Sequence, residues 1–395
     1  MLRFHRSEGS RPGRRLRRTS AVLMVLVVGF AAWLVIPAML APGNDSLGAK
    51  IAENARDHGL GFIVTGAESL QYRLSPPQEG GSLDAAAQRS LSSAGNAPSP
   101  EPAGSSAPSA ASPAMDVDGA PPAVEPVARP ALAGEGVYAT RVVVNGRPAV
   151  RTALLRPDAV HTSYLAGVAW MSASRLRFVQ HPGATDPGQL ARWSEPAVVP
   201  PERRTGLVAT FNSGFKIADS RGAFYADGRS VGRLRPGAAS LVVYADGHVD
   251  IGAWGSDVRM TPDVRTVRQN LGLLLADGKA TPEVNDDTQA TWGATIGQKA
   301  YVWRSGIGVT ASGDVVFVAG DALSAATLAT LLQRAGAVRA MELDINRSWV
   351  SFMWYSTASP ASPTAPAPHK LVDFARPADR YFTVNNRDFF AVYAR

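Results

Sequence analysis

Residues Ala21 to Ala41 form an uninterrupted run of 21 residues without a charged side chain. As a helix, this run would span about 30 Å, which matches the hydrocarbon core of a bilayer. A buried core helix is the alternative, but such a helix is rarely this long or apolar on every face. The run therefore predicts one transmembrane segment, with all other folded parts outside the bilayer.

Arginines dominate the residues that precede this run. They occupy positions 3, 6, 11, 14, 15, 17 and 18 against one acid, Glu8, so residues 1–20 form a basic tail with +6 of the net charge of +7. The positive-inside rule then predicts a cytoplasmic N-terminus and a C-terminal part outside the membrane. A cleaved signal peptide is the competing interpretation. The length of the run, and Pro42 directly after it, favour a retained signal anchor.

The rest of the chain is close to neutral, because residues 21–395 keep only +1 of the +7. A nucleic-acid-binding domain is expected to carry its basic patch on the folded surface, so nucleic acid is not an expected partner. The chain has no cysteine. This excludes disulfides, thiolate nucleophiles and metal–thiolate sites.

Composition divides the remainder into three parts. Residues 42–74 form a small juxtamembrane element with a helix predicted from Ser46 to His58. Residues 75–133 are rich in Pro, Ala, Ser and Gly and bury too little apolar surface to fold, so they predict a disordered linker. At about 3.1 Å per residue its reach is on the order of 100 Å. Residues 134–395 form the predicted folded domain.

Turn signals between β-branched runs recur in this domain. The first is Asn145-Gly146 between Val137–Val144 and Ala149–Leu155, which is the strongest short hairpin signal. Asp-Gly pairs follow at positions 227, 246 and 277, each beside a β-like run. The pattern predicts a β-rich domain.

A strand–helix–strand pattern interrupts this background. It comprises a strand at Asp314–Ala319, a helix at Ser324–Ala335 and a strand at Val338–Asp344. Such a unit predicts two parallel strands with a right-handed crossover. The predicted fold class is therefore α+β, a β-rich mixed sheet with one βαβ unit. Ligands tend to lie beyond the carboxyl ends of such strands, and the second strand ends at Asp344.

Several common catalytic motifs are absent. The sequence has no Gly-rich phosphate loop, no G-x-S-x-G elbow and no H-E-x-x-H pattern, and its six histidines lack metal-ligand spacing. Nucleotide-binding, serine-hydrolase and zinc-hydrolase functions are therefore not supported. Residues 285–288 (Asn-Asp-Asp-Thr) offer oxygen ligands of the kind that calcium prefers, with a polar surface turn as the alternative.

Three polar segments follow predicted strands. Residues 211–215 (FNSGF) present Asn212 at a tight turn, although Asn and Gly are ordinary turn formers. Residues 304–309 (RSGIGV) join Arg304, whose planar guanidinium suits phosphate, to two glycines that permit close approach. A salt bridge beside a bulge is the alternative there.

The third segment, residues 341–349, crowds charged and polar side chains at a strand end. Glu342, Asp344 and Asn346 share one face of the predicted strand. A half-solvated strand is the alternative, but strands of a βαβ unit are usually covered on both faces. The crowding therefore favours a site.

In this order the three segments resemble the phosphodiester glycosidase domain family, over roughly Val208 to Ser348. The family carries Asn-Gly-Gly-Phe-Phe, then Arg-Thr-Ala-Ile-Gly, then Asn-Leu-Asp-Gly-Gly-Gly-Ser, where this chain has FNSGF, RSGIGV and ELDINRS. The matching residues are Asn212, Gly214, Phe215, Arg304, Ile307, Gly308, Leu343, Asp344 and Ser348. The three glycines of the last motif are replaced by Ile345, Asn346 and Arg347, which do not allow the same backbone approach. The chain resembles a divergent, membrane-anchored bacterial subgroup of the family.

The resemblance implies hydrolysis of a sugar-1-phosphodiester, here in a cell-envelope glycopolymer. Asp344 is the expected catalytic carboxylate, which activates water or stabilises an oxocarbenium-like state, with Asn212 and Glu342 beside it. Arg304 and Arg347 are expected to hold the phosphate. The remaining expected substrate contacts are Gly214, Gly308, Asn346 and Ser348. No residue is assigned as a metal ligand, and calcium remains a candidate cofactor.

Two other functions remain open. A non-catalytic glycan-binding or envelope-assembly protein would use tryptophans as stacking platforms. Those of the domain are Trp170, Trp193, Trp254, Trp292, Trp303, Trp349 and Trp354. A partner of membrane-bound envelope machinery would instead act through residues 44–75.

Overall fold

The computed structural model describes residues 12–41, 47–58, 60, 76–95, 121–188, 192–286, 289–293, 300–356 and 364–395. The chain divides into two compact units. The first comprises Met1–Ala41 and Asp45–Ala67, and the second comprises Pro42–Asn44 and Glu68–Arg395.

Two helices form the described part of the first unit. Helix α1 (Pro12–Leu40) contains an apolar stretch, Val22–Leu40, with a mean hydropathy of 2.6 and only 6% of it buried. This stretch is long and apolar enough to cross a membrane, as a membrane anchor or a signal sequence would be. Helix α2 (Leu47–Asp57) lies where the juxtamembrane helix was predicted.

Helix α2 packs against the C-terminal half of α1. The side-chain amide of Asn54 donates to the carbonyl of Leu34 at 2.9 Å, and Nζ of Lys50 donates to the carbonyl of Ala41 at 2.6 Å. Pro37 lies inside α1 and has no N–H for the helical ladder. Side chains of α2 therefore satisfy carbonyls near this interruption and at the end of α1.

The second unit is rich in β-strands, as predicted. Its strands are β1 (Ala139–Val144), β2 (Arg147–Leu155), β3 (Ala166–Met171), β4 (Leu176–His181), β5 (Leu207–Asn212), β6 (Ala223–Ala226), β7 (Arg229–Gly232), β8 (Ala239–Tyr244), β9 (Val249–Ala253), β10 (Val264–Gln269), β11 (Leu273–Ala276), β12 (Lys279–Ala280), β13 (Val302–Thr310), β14 (Val315–Leu323), β15 (Ala337–Glu342), β16 (Phe352–Ser356), β17 (Ala367–Lys370) and β18 (Phe389–Ala394). Its helices are α3 (Ala85–Gly95), α4 (Ile217–Ser220), α5 (Gln289–Trp292) and α6 (Ala325–Arg334). Single turns of 3-10 helix occur at Pro201–Arg203, Pro282–Asn285 and Arg380–Phe382.

The strands form three sheets. The first has the order β1-β2-β3-β14-β13-β15-β11-β12, the second β7-β6-β10-β8-β9 and the third β17-β16-β5-β18-β4. Within the described residues, every paired ladder is antiparallel.

The main core lies between the first and third sheets. Phe317 of β14 packs against Phe211 of β5 and Phe352 of β16, with ring centres 5.6 and 5.0 Å apart. The other face of the first sheet is covered by α6, whose Leu328, Leu331 and Leu332 are all buried. The central strands β13 and β14 are thus covered on both faces, which explains their nearly continuous apolar sequences.

The predicted strand–helix–strand unit is present, with one difference. Strands β14 and β15 run parallel and are joined by α6, but they are not neighbours, because β13 lies between them and pairs antiparallel with both. The predicted helix start is confirmed, since Oγ of Ser324 accepts from the backbone N–H of Thr327. The insertion of β13 brings its glycine-rich motif beside the carboxyl end of β15.

Three of the four predicted turns adopt the expected geometry. The two central φ values are 51° and 74° at Asn145-Gly146, 50° and 74° at Asp227-Gly228, and 48° and 73° at Asp277-Gly278. In the fourth turn, Asp246-Gly247, only the glycine has a positive φ. Positive φ at both central residues is the signature of a type I′ turn, which matches the twist of the flanking strands.

Parts of the predicted linker pack on the second unit. Leu83 precedes α3 and Leu91 lies within it. Both form a small buried cluster with Leu154 of β2. Farther along, Arg156 donates to Glu135 and to the carbonyls of Ala128 and Pro130. The low overall apolar content of residues 75–133 gave no indication of these few leucines or of the buried ion pair between Arg156 and Glu135. Residues 75 and 96–120 lie outside the described residues.

Candidate functional site

The three motif segments predicted from the sequence meet at one side chain, Ser305 of β13. Its Oγ accepts from Nδ2 of Asn212 at 3.0 Å and lies 3.2 Å from the backbone nitrogen of Asp344. Backbone bonds of 2.8 Å join Ser305 to Leu343 and Asp344. The ends of β5 and β15 are therefore fixed against β13, and Asn212 and Asp344 lie at one rim of the domain.

A second buried amide ties the same segments together. Nδ2 of Asn270 donates to the carbonyls of Glu342 and Leu343 at 2.9 and 3.0 Å, while its Oδ1 accepts from the N–H of Phe215 at 3.3 Å. The Cα of Gly214 faces this amide, where an added Cβ would lie 3.2 Å from the Asn270 side chain. Gly214 thus permits the close packing of the FNSGF turn.

The amide of Asn212 is occupied by structural hydrogen bonds. Its Nδ2 donates to the carbonyl of Ser213 and to Ser305, and its Oδ1 accepts from the N–H of Ser351 at 2.9 Å. Both N–H donors are used, and the amide fixes the loop after β15. Its expected role in orienting water or a sugar hydroxyl stays a prediction. Oγ of the neighbouring Ser213 is buried and finds no hydrogen-bond partner among the described residues.

Asp344 begins a series of hydrogen bonds between side chains and backbone N–H groups in the loop after β15. Its Oδ1 accepts from the N–H of Asn346 at 2.8 Å, and Oδ1 of Asn346 accepts from the N–H of Ser348 at 2.9 Å. These bonds shape the loop that follows β15. Oδ2 of Asp344 lies 3.7 Å from Nη2 of Arg387, and the Asp344 side chain is only 6% exposed.

The side chain of Arg304 in β13 is buried. Its guanidinium pairs with Oε1 of Glu342 at 2.5 Å. It also donates to the carbonyls of Leu323, Trp292 and Ala300. Four of its five N–H groups are therefore occupied inside the protein, and a phosphate contact by Arg304 stays a prediction.

Glu342 is likewise an interior residue, and its expected catalytic role stays a prediction. It is fully buried, and its Oε2 has no hydrogen-bond partner among the described residues. Burial raises the pKa of Glu342 from 4.5 to about 7, and the Arg304 guanidinium opposes this rise. The carboxyl therefore titrates near neutral pH while it holds Arg304.

Two other expected substrate contacts have different surroundings. Arg347 is exposed on the loop, where its charge acts on Asp321. Gly308 lies inside the first sheet, opposite Val316 and Ala340. A Cβ at Gly308 would lie 2.6 Å from Cβ of Ala337, so the close packing of the strands requires a glycine here. Its substrate contact stays a prediction.

The site also contains residues that the sequence did not indicate. Arg387, just before β18, donates to the carbonyl of Gly214 at 3.2 Å and lies 3.8 Å from Oδ2 of Asp186. Burial raises the pKa of Asp186, and Arg387 opposes this rise. One guanidinium therefore lies within ion-pair distance of two carboxylates, Asp186 and Asp344.

A fully buried ion pair between Arg268 and Asp388 also contacts the FNSGF turn. Nε of Arg268 lies 2.8 Å from Oδ2 of Asp388, and the Arg268 guanidinium also donates to the carbonyl of Phe215. The pair links β10, the FNSGF turn and the start of β18. Because arginine makes up 35 of the chain's 40 basic residues, Arg268 and Arg387 carried no signal in the sequence.

No metal site is evident in the described ranges. They contain no group of three or more His, Asp or Glu side chains that could hold an ion. In the segment considered for calcium, Oδ2 of Asp286 accepts from the hydroxyl of Thr291 at 2.6 Å. Asp287 and Thr288 lie outside the described residues, so calcium stays a prediction.

Residues 205–344 match the family model of the phosphodiester glycosidase. This segment of the chain is similar to the phosphodiester glycosidase domain. The matched segment runs from the start of β5 to Asp344 and includes all three motifs. Asp186 and Arg387 lie outside this segment.

The solved structures similar to this chain share little sequence with it. The catalytic domain of zebrafish N-acetylglucosamine-1-phosphodiester alpha-N-acetylglucosaminidase, auto-inhibited by its pro-peptide, is 14% identical, with a TM-score of 0.41 over 65% of this chain and 88% of that one. A hypothetical protein from Synechocystis is 13% identical, with a TM-score of 0.34 over 64% of this chain and 63% of that one. No protein of curated function has a sequence that matches the chain. The similarity to the family rests on the family model, which matches residues 205–344.

Proposed function

We propose that this chain is a membrane-anchored hydrolase that cleaves the glycosidic bond of a sugar-1-phosphodiester in a cell-envelope glycopolymer. The observation that carries the proposal is the position of Asp344. Its carboxylate lies at the carboxyl end of β15, within the matched motif, and beside the guanidinium of Arg387. A carboxylate and a cation side by side suit a reaction in which a sugar cation forms and a phosphate departs.

The reaction needs one water and one basic group. Asp344 accepts a proton from water as the water oxygen bonds to the anomeric carbon, and the bond from that carbon to the phosphate oxygen breaks with its electron pair on oxygen. The products are the free sugar and a phosphate monoester. Because the phosphate is a weak base, it departs without the strong acid assistance of an ordinary glycoside, for which two carboxylates are usual.

The anchor and its orientation belong to the same proposal. Helix α1 would remain in the cytoplasmic membrane with the arginine-rich residues 1–20 inside and the domain outside. The lipid bilayer and an envelope glycan are then the two expected partners.

The test uses the full chain in detergent and the methyl diester of N-acetylglucosamine-1-phosphate, together with the corresponding glucose and galactose diesters. Sugar release is measured with and without calcium. Asp344→Asn is expected to lower the rate by about a thousandfold, because it removes the base. Asp277→Asn is the matched control, since Asp277 lies in an exposed hairpin turn whose positive φ asparagine also tolerates. Absence of release from every diester by the wild type would sink the proposal.

The binding-module alternative predicts a different result in the same assay. It requires glycan retention that survives Asp344→Asn, with no sugar release by the wild type. Four of the seven tryptophans considered as stacking platforms are buried, namely Trp170, Trp292, Trp303 and Trp349. This burial weakens the alternative, since a buried indole offers no face to a sugar.

A further inference from the structure

Three buried arginines surround the indole of Trp349, in the loop that follows Asp344. The guanidinium carbons of Arg376, Arg380 and Arg387 lie 5.1, 5.7 and 5.4 Å from the ring centre. The three residues are 4%, 3% and 8% exposed, respectively. Three like charges are therefore held around one aromatic ring with little access to water.

Each of these arginines is fixed by a backbone carbonyl of a motif loop. Nε of Arg376 donates to Ser348 at 2.8 Å, and Nη1 of Arg380 donates to Trp349 at 3.2 Å. Nη2 of Arg387 donates to Gly214, at the end of the FNSGF turn. The three cations are thus positioned by the two loops that form the site around Asp344.

The charge of Arg380 has only neutral partners among the described residues. Its Nη1 also donates to Oγ of Ser351 at 3.0 Å, and none of their carboxylates lies within ion-pair distance of it. Its Nε is buried and has no acceptor there. A buried charge and an unsatisfied buried donor are both costly, so such an arrangement persists where an anion completes it.

We infer that Arg376 and Arg380, with Arg387 beside them, form an oxyanion subsite that binds the phosphoryl group of the substrate. Guanidinium groups bind phosphate through paired N–H donors and are the side chains most suited to it. This inference rests on the proposed function and assigns the phosphate contact to the C-terminal segment. Arg304, the arginine of the family motif, already uses four of its N–H groups inside the protein.

Inorganic phosphate is the probe for this subsite. Its binding to the full chain in detergent is measured by titration calorimetry at constant ionic strength. Arg380→Gln is expected to weaken phosphate binding at least tenfold, because it removes the buried charge of Arg380 and most of the N–H donors of that side chain. Arg233→Gln is the matched control, since Arg233 is exposed in the loop after β7, away from these arginines in the sequence. No phosphate binding by the wild type, or a loss in Arg233→Gln but not in Arg380→Gln, overturns the inference.

A destabilised variant is recognised by its melting temperature, measured in the same buffer. If Arg380→Gln does not fold, Arg376→Gln and Arg380→Lys replace it. Arg380→Lys keeps the charge without the planar fork, so phosphate binding is expected to fall less than in Arg380→Gln. Wild-type binding strength in both replacements overturns the inference.

Sugar release separates this inference from the proposed function. Wild-type release with an unchanged KM in Arg380→Gln refutes the subsite and leaves the hydrolase intact. Phosphate binding that depends on Arg380, without any sugar release by the wild type, refutes the hydrolase and supports an anion-binding role. Release together with a KM raised at least tenfold in Arg380→Gln supports both.

Discussion

Oδ2 of Asp344 and Nη2 of Arg387 lie 3.7 Å apart, although Asp344 ends the matched family segment and Arg387 lies close to the end of the chain. The contact exists because β18 pairs with β5, which brings the residues before β18 to the rim where β15 ends. The C-terminal strand therefore completes a site that the motif segments only begin.

This contact predicts the effect of Arg387→Gln. Removing the cation takes away electrostatic support for the departing phosphate and for the ionised Asp344, so kcat/KM for sugar release is expected to fall by about ten- to a hundredfold. Arg387→Lys is expected to recover part of the loss, because it restores the charge but not the fork. Arg339→Gln, which breaks a half-exposed ion pair with Asp250, is the control. Full activity in Arg387→Gln contradicts the assignment.

The buried Glu342 predicts a pH effect on stability. Its pKa is about 7 in the folded chain against 4.5 for a free carboxyl. The folded state therefore binds the proton more tightly, and the stabilisation that this gives is lost as pH rises from 4.5 through 7. Glu342→Gln keeps a hydrogen bond to Arg304 without titrating. Its free energy of unfolding relative to the wild type is expected to improve by at least ~1 kcal/mol between pH 5 and pH 8.

Urea unfolding at pH 5, 6, 7 and 8 measures this difference. Glu283→Gln is the control, because Glu283 is exposed in the turn before Asn285. A constant difference between Glu342→Gln and the wild type across the range contradicts the prediction. The difference in free energy of unfolding at a single pH does not test the prediction, since the substitution also changes the buried pair with Arg304.

Local signals located several of the strands and turns and the three motif segments of this chain. The type I′ turns follow from Asn-Gly and Asp-Gly, and the strand after α6 follows from apolar residues that end at Asp344. Side-chain direction was harder to predict. Arg304 and Ser305 are neighbours in β13, and the sequence favoured the arginine because its chemistry suits phosphate. The strand turns Arg304 into the interior and gives the joining role to Ser305.

The contacts from outside the motifs had no local signal at all. Asp186 and Arg387 meet through an isolated bridge between two loops, and their approach to Asp344 depends on the order β16-β5-β18-β4. Strand order is fixed by long-range pairing and packing, which a single sequence does not reveal. Arg376 and Arg380 were overlooked for the same reason.

The buried His181 predicts acid sensitivity. Its Nδ1 lies 2.8 Å from the carbonyl of Pro196, which can only accept, so Nδ1 carries the proton. Burial lowers the pKa of His181 from 6.5 to about 4. The folded state binds this proton less tightly, so the stability that the neutral ring contributes above pH 6.5 is lost as pH falls toward 4.

His181→Asn removes this titration while an amide N–H can still reach Pro196. The variant is expected to be less stable than the wild type at pH 8, because the ring stacks on Phe389 with centres 4.7 Å apart. The deficit should narrow by ~1 kcal/mol or more at pH 4.5. Thermal unfolding at the two pH values measures it. His248→Asn, on an exposed turn, serves as control, and a deficit that widens at low pH contradicts the prediction.

The packing of Gly308 separates a structural glycine from a substrate contact. An added Cβ would lie 2.6 Å from Cβ of Ala337 and 3.0 Å from the carbonyl of Arg339, so β13 and β15 would have to move apart. Gly308→Ala is expected to lower the free energy of unfolding by about 1–3 kcal/mol, as overpacking of a core does. Gly272→Ala, where nothing lies within 4 Å of the added Cβ, should change it little.

Kinetics complete this last test. If Gly308 serves packing, the folded fraction of Gly308→Ala keeps the wild-type KM for sugar release, because the added methyl lies inside the sheet and away from Asp344. If the glycine instead allows the substrate to approach, KM rises while the melting temperature stays close to that of the wild type. A lowered melting temperature with an unchanged KM indicates a packing role, and an unchanged melting temperature with a raised KM indicates a substrate contact. One preparation of the variant therefore distinguishes the two roles.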